Sequence, residues 1–349
     1  MAVTIVEVAR PVVGGVDTHL DVHVAAAVDS LGGLLGVRPF PTTPAGYHAL
    51  SSWLTSFGAV ERVGVEGTGT YGAGLARHLA TSGITVIEID RPNRQERRRN
   101  GKSDELDAIE AARAVLSGRA RGRAKGGDGN VEGLRALLVA KRSARSIRIS
   151  TTGRLRHLVI TGPDDLRGRL GSLRTTALVT EAAALRPRAT GGSARHGTKL
   201  AIVTLARRVQ AINAEIAVLD RQLDTLVRAT APNLLEVYGV GVDTAAILLV
   251  AAGDNASRIR SEAAWAHLCG VAPIPAGSGK TNQRRRLNPG GNRQANHALW
   301  RIVLTRLGQR EPRTAAYMQR RLAQGRTKPE IIRSLKRYVA REIYQHLFA

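Results

Sequence analysis

A chain of 349 residues is longer than one hydrophobic core comfortably serves, so two or three domains are expected. Lysine and arginine number 52 against 28 aspartates and glutamates, and the formal charge of +24 calls for a polyanionic partner, nucleic acid first, although a GC-rich genome also enriches arginine. The single cysteine, Cys269, excludes a disulfide framework and a cysteine zinc site, no apolar run approaches the ~20 residues of a membrane span, and aromatics at 3% argue against base-stacking platforms.

In chain order, "RPVVGGVDTHLDVHVAAAVDS" reads as two β segments around a polar turn, and "GGLLGVRPF" as a third strand after a glycine turn. "TPAGYHALSSWLTSFG" has helical periodicity behind a proline start. "ERVGVEGTG" is a fourth strand ending at Glu66, "YGAGLARHLATSG" a helix, and "ITVIEID" a fifth strand. A basic run, "RPNRQERRRN", then brings Arg97, Arg98 and Arg99, with Lys102 just beyond, and leads into "SDELDAIEAARAVL". There Ser103 caps a helix that carries Asp104 and Asp107 on one face, because positions i and i+3 are neighbours. The order β-β-β-α-β-α-β-α is that of the ribonuclease H and RuvC-like nucleases, a mixed α/β sheet with helices on its faces.

In that fold the first and fourth strands are neighbours, and sites form at the carboxyl ends of strands. Asp17, near the end of the first strand, and Glu66, at the end of the fourth, can therefore meet Asp104 and Asp107. Taken singly, each acid is an ordinary strand-end or first-turn carboxylate. Four acids from three segments at one sheet edge make a cage for a divalent cation, Mg²⁺ or Mn²⁺.

Residues 130–159 read as a helix dense in arginine, with Arg142 and Arg145 among its candidates for contact with a nucleic-acid backbone; a solvated basic face is the alternative. "TGPDDLRGRLGS" and "RPRATGGSARHG" read as loops around a small helical piece. Ile202, Leu205, Val209, Ile212, Ile216, Leu219, Leu223 and Leu226 then recur at alternating spacings of three and four, a coiled-coil seam that either packs within the chain or joins protomers. "PNLLEVYGVGVDTAAILLVAAGD" has the pattern of a helix-hairpin-helix about Gly239 and Gly241. In "PIPAGSGKTNQRRRLNPGGNRQAN", Ser278 sits between glycines ahead of Lys280, Arg284, Arg285 and Arg286. The P-loop spacing fails, since no glycine stands five residues before Gly279. The loop is either a plain Gly-Ser connection or a nucleophile among cations that suit a phosphodiester.

Together, "GGVDTHLDVHVAAAVD", "GVEGTGTYG", "KSDELDA", the serine motif and the C-terminal "GRTKPEIIRSLKRYVAREIY" resemble the IS-one-ten (IS110) group of insertion-sequence transposases, related to the Piv-type DNA invertases. The resemblance covers nearly the whole chain and is weakest over 120–200; Leu20 departs from the lysine found there in many relatives. It implies a RuvC-like domain with a basic helical extension over 1–160, a linker and coiled-coil helix over 161–230, and a mainly α-helical serine domain over 231–349. It implies that Asp17, Glu66, Asp104 and Asp107 are the metal-binding DEDD acids and that Ser278 becomes covalently joined to DNA. Donor and target DNA, a structured non-coding guide RNA, and a homo-oligomer (dimer or tetramer) whose protomers complete one another's sites follow as partners. The expected location is the cytoplasm of a bacterium, at the nucleoid, with no membrane contact. Two other readings are a RuvC-like nuclease that uses water as nucleophile and a non-catalytic basic nucleic-acid-binding protein.

Overall fold

The computed structural model describes residues 11–89, 103–127, 129–187, 194–277 and 285–348. Ser278, Lys280, Thr281, Arg284, Arg97, Arg98, Arg99 and Lys102 lie outside these described residues. The chain forms two compact units, Met1–Gly129 with Gly253–Arg260, and Asn130–Ala252 with Ser261–Ala349.

The first unit is built on a five-stranded sheet: β1 (Pro11–Thr18), β2 (Val22–Asp29), β3 (Leu34–Pro41), β4 (Ala59–Glu66) and β5 (Thr85–Ile89), in the order β3-β2-β1-β4-β5. β1 runs antiparallel to β2 and parallel to β4, the pairing expected for this element order. β1 is apolar on both sides, as a central strand covered on both faces must be. β3, with Pro39 and Pro41, is an edge strand, where a missing N–H costs least. Alternation along the strands sends Val12, Val16, Val63 and Val65 into one core, beneath α1 (Pro44–Thr55) and α2 (Ala73–Thr81). Val13, Val28, Ile87 and Ile89 point the other way, into a second core under α3 (Asp104–Leu116).

Two glycines set how closely α3 approaches the sheet. A Cβ at Gly15 of β1 would lie 2.2 Å from both the Ala108 carbonyl oxygen and the Ala112 nitrogen. One at Gly64 of β4 would lie 2.8 Å from Val115 Cγ2 and 2.9 Å from the Ala111 carbonyl oxygen. Past α3 the chain returns alongside β5, where Ala124 N donates to the Val86 carbonyl at 3.1 Å. The side chain of Asn255, from the returning segment Gly253–Arg260, grips this stretch at two points. It donates to the Ala124 carbonyl at 2.7 Å and accepts from Gly126 N at 3.1 Å.

The second unit is helical: α4 (Asn130–Ile160), α5 (Asp164–Leu170), α6 (Thr175–Ala184), α7 (Ala194–Thr230), α8 (Val242–Ala252), α9 (Glu262–Leu268), α10 (Arg293–Gly308), α11 (Pro312–Ala323) and α12 (Lys328–Phe348), with a two-stranded hairpin of β6 (Pro273–Pro275) and β7 (Arg285–Leu287). α4 and α7 pack antiparallel. Leu155 and Val159 join Ile202, Val203 and Val209, while Ala144 meets Ile212 and Ile216 further along. The apolar seam of α7 is thus covered by α4 of its own chain and supplies no argument for a joint between protomers. By its packing the arginine-rich helix groups with the second unit, which starts at Asn130.

Two other expectations change. "TGPDDLRGRLGS" is not a loop, since it contains α5, entered through Pro163 with Asp164 and Asp165 in the first turn. Of the helix-hairpin-helix pattern only the second helix, α8, is a full helix. The first is a single 3-10 turn, Pro232–Leu235, before a bend in which Gly239 has φ +81°.

Candidate active site

The site is assembled by strand parity. Asp17 lies two residues beyond Gly15 and Glu66 two beyond Gly64, so both acids share the face that α3 covers. Val16 pairs with Val65, which brings the next residue of each strand to the same level, and Thr18 Oγ1 donates to the Glu66 carbonyl at 2.8 Å, tying the two ends together. From the other side, Ser103 Oγ accepts from Leu106 N at 3.2 Å and starts α3 with Asp104 and Asp107 in its first turn. Asp17, Glu66 and Asp107 line one cleft of about 250 Å³ with Gly67, Thr70 and Tyr71. Asp17 and Asp107 are buried, and Asp104 stands at the more open side.

A residue that the sequence reading passed over completes the group. His19 Nε2 lies 3.2 Å from Asp17 Oδ2 and 3.3 Å from Asp104 Oδ2, bridging strand and helix. The ligand atoms of Asp17, His19 and Asp104 all fall within 4.8 Å of one another. A readable signal existed, because His19 continues the 15-17-19 parity of the site face.

Burial pushes the Asp17 carboxyl above its ordinary range, and the Asp104 and Asp107 carboxylates push it the same way against the opposing pull of His19. A buried carboxyl crowded by two more is unfavourable unless a proton or cation neutralises it. Hard oxygen donors with one imidazole form a set that suits a divalent cation.

The basic candidates divide. Arg142 is exposed on α4. Arg145 lies 3.0 Å from Asp243 Oδ2, at the start of α8. The same carboxylate meets the buried Lys141, which also reaches Asp220 of α7, and Arg301 approaches it at 3.9 Å. Burial alone would raise the Asp243 carboxyl, but Lys141, Arg145 and Arg301 outweigh it and hold it below the ordinary range. Arg145 therefore helps to clamp α4 against α8, with its side chain 40% exposed. Arg285 and Arg286 stand exposed on β7. Among the described residues no helix is long and apolar enough to cross a membrane.

Comparison with known proteins agrees with this layout. The model of the Transposase IS116/IS110/IS902 family matches residues 231–319. A second transposase model, for the DEDD type of IS110, matches residues 14–161, which contain all four acids. The Insertion element IS110 uncharacterized 43.6 kDa protein of Streptomyces coelicolor is 31% identical over 140 residues. That alignment takes in 40% of this chain and 34% of the relative, so the chain spans about a third of the length of the protein it matches.

Proposed function

Since the chain belongs to the IS110 group of transposases, we propose that it cuts and rejoins DNA strands to excise and insert its own element through a phosphoserine intermediate. The observation that carries this reading is the convergence of Asp17, Glu66, Asp104 and Asp107 at the carboxyl ends of β1 and β4, in a chain whose other half matches a transposase model.

Asp17, Asp104 and Asp107, with Glu66 and His19 beside them, would hold Mg²⁺ or Mn²⁺, which when bound supplies charge stabilisation at a scissile phosphate. Ser278 is the nucleophile. Its Oγ–P bond forms as one bridging P–O bond of the DNA breaks, the serine proton passes to a carboxylate of the acid group or to solvent, and the departing oxygen is protonated. The ester keeps the strand joined to the protein, so resealing to a second strand needs no ATP. Lys280, Arg284, Arg285 and Arg286 neutralise the extra charge on phosphorus, and Arg97, Arg98, Arg99, Lys102, Arg142 and Arg145 follow the backbone. The partners are donor and target DNA, a structured guide RNA from the same element, and further copies of this chain in a dimer or tetramer. The setting is the bacterial cytoplasm, at the nucleoid. Support for Ser278 comes from its cationic Gly-Ser-Gly context and from its place within the matched stretch 231–319.

The test is a denaturing gel of labelled DNA after incubation with Mg²⁺. A slow, protease-sensitive band should form with the wild type and be absent with Ser278→Ala, which alters only one oxygen between two glycines. A Ser278→Ala protein that still exchanges strands would move the nucleophile to water or to Thr281 and favour the metal-dependent nuclease.

A further inference from the structure

A cleft of the second unit lies far along the chain from the acids. It is a groove of about 940 Å³ floored by α11, α12 and the β6–β7 hairpin. Among the described residues, nine arginine and lysine side chains line it against one carboxylate, Glu330. Glu330 is already engaged, since its Oε2 accepts from Thr327 N at 2.9 Å and Thr327 Oγ1 at 2.8 Å at the start of α12. Glu262, outside the lining, holds Arg337 through an Nη2–Oε2 contact of 2.8 Å and lies 3.8 Å from Arg341 Nε, so one carboxylate is shared by two of the groove's cations. Among the described residues Arg285, Arg286, Arg320 and Arg333 are in no ion pair. The cations crowd one another: burial and then Arg333 push the Lys336 ammonium below its ordinary range, and burial and then Arg341 do so at Arg337. On α12, Arg333, Arg337 and Arg341 recur every fourth residue, one stripe with a step of about 6 Å. A row of like charge kept this close is relieved by a chain of anions rather than by one.

An aromatic corner stands in the same wall. Tyr317 of α11 and Tyr338 of α12 meet edge to face with ring centroids 5.4 Å apart, and the Arg320 guanidinium lies 5.3 Å over the Tyr317 ring. Tyr338 is 51% exposed, in a chain with only six tyrosines. Despite the low aromatic content, an exposed ring therefore stands among the cations of this groove. A duplex offers phosphates to the cations but no free base face to a tyrosine ring, whereas an unpaired strand offers both. An acidic peptide offers neither a flat π face nor a regular row of phosphates.

We propose that this groove seats a short unpaired DNA strand, its phosphates along the Arg333-Arg337-Arg341 stripe and a base stacked on Tyr338. DNA is favoured over RNA because Pro273 and Arg285, which line the groove, belong to the hairpin strands that lead into and out of the segment carrying Ser278. That choice of DNA rests on the strand-transfer reading above; the stacking and phosphate contacts do not.

The experiment uses the full chain bearing Ser278→Ala, in EDTA, so that neither adduct formation nor metal contributes. Fluorescence anisotropy is measured with a labelled oligodeoxythymidine of about twelve nucleotides, within the site sizes typical of single-strand grooves. A duplex of the same length and an oligouridine are the comparison probes. Tyr338→Ala should weaken single-strand DNA binding about tenfold, the effect of one lost base stack, and leave duplex binding within about twofold. Tyr338→Phe, which keeps the ring, should restore it. Arg333→Gln should lower the log–log salt slope for the single strand by about 0.7, one phosphate contact. Equal losses on duplex and single strand, or no loss with Tyr338→Ala, would overturn the proposal, and preference for the oligouridine would overturn the assignment to DNA. An adduct in the gel assay together with an indifferent Tyr338→Ala would remove the groove alone. A groove that discriminates single strands in a protein that forms no adduct would remove the strand-transfer chemistry alone.

Discussion

Gly15→Ala is the most economical way to ask whether the four acids work as one group, because it touches none of them. The added methyl would stand 2.2 Å from two backbone atoms of α3, the Ala108 carbonyl oxygen and the Ala112 nitrogen. A favourable contact needs ~3.5 Å, so the helix must back away from β1 by more than ~1 Å. Neither atom belongs to a flexible side chain that could swing aside. Overpacking of this kind costs about 1–3 kcal/mol, a fall in Tm of roughly 3–10 °C for a unit of this size. The geometric effect is larger than the energetic one. Asp104 and Asp107 ride on α3 while Asp17 and Glu66 stay on the sheet, and metal ligands tolerate only about 0.2 Å of misplacement. Thermal melts in EDTA and across a Mn²⁺ titration read both quantities. Wild type should gain stability with metal as mass action requires, and Gly15→Ala should show a lower Tm in EDTA with little or no gain. Gly69→Ala, whose Cβ would meet nothing within 4 Å, is the matched control and should behave as wild type. A Gly15→Ala protein with the wild-type metal response would refute the argument that helix-to-sheet distance sets the site.

Asp17→Asn should raise the metal-free Tm at neutral pH, because Asp17 is raised chiefly by burial and further by Asp104 and Asp107. A carboxyl raised on folding favours the native state below its unfolded pKa and loses that contribution as pH climbs through the folded value. The gain of the variant over wild type in EDTA should therefore be small near pH 4 and grow towards pH 7, beyond the ordinary aspartate range of about 3.9; a gain that shrinks with rising pH contradicts the assignment. Ile216→Ala, which empties part of the seam between α7 and α4, should cost about 3 kcal/mol in urea unfolding. Its midpoint should not depend on protein concentration more or less than that of wild type, as a seam between protomers would require.

Strand alternation made the sheet and its acid edge legible, since burial of both faces of β1 leaves little freedom in where Asp17 points. The same parity placed His19, which was overlooked because a lone histidine carries no ligand spacing of its own. Periodicity identified the buried face of α7, but a repeat states only that a face is covered, never by which chain. Arg145 stands out in the sequence by local charge density, while its partner Asp243 is 98 residues further on, at a helix start that no local pattern links to it. The helix within 161–172 was readable, since a proline followed by two aspartates is a common helix entry. It was hidden by the glycines at 168 and 171.

The return of Gly253–Arg260 to the first unit, gripped by Asn255, has a consequence for how this gene can decay. The stretch matched as the second family region, 231–319, carries a piece of the unit that holds the acids. A stop codon or frameshift anywhere between α4 and Ala252 thus removes a part of both units at once. Such a truncation strips the Asn255 hydrogen bonds from Ala124 and Gly126, so it cannot separate the acid-bearing unit cleanly from the half that bears the serine.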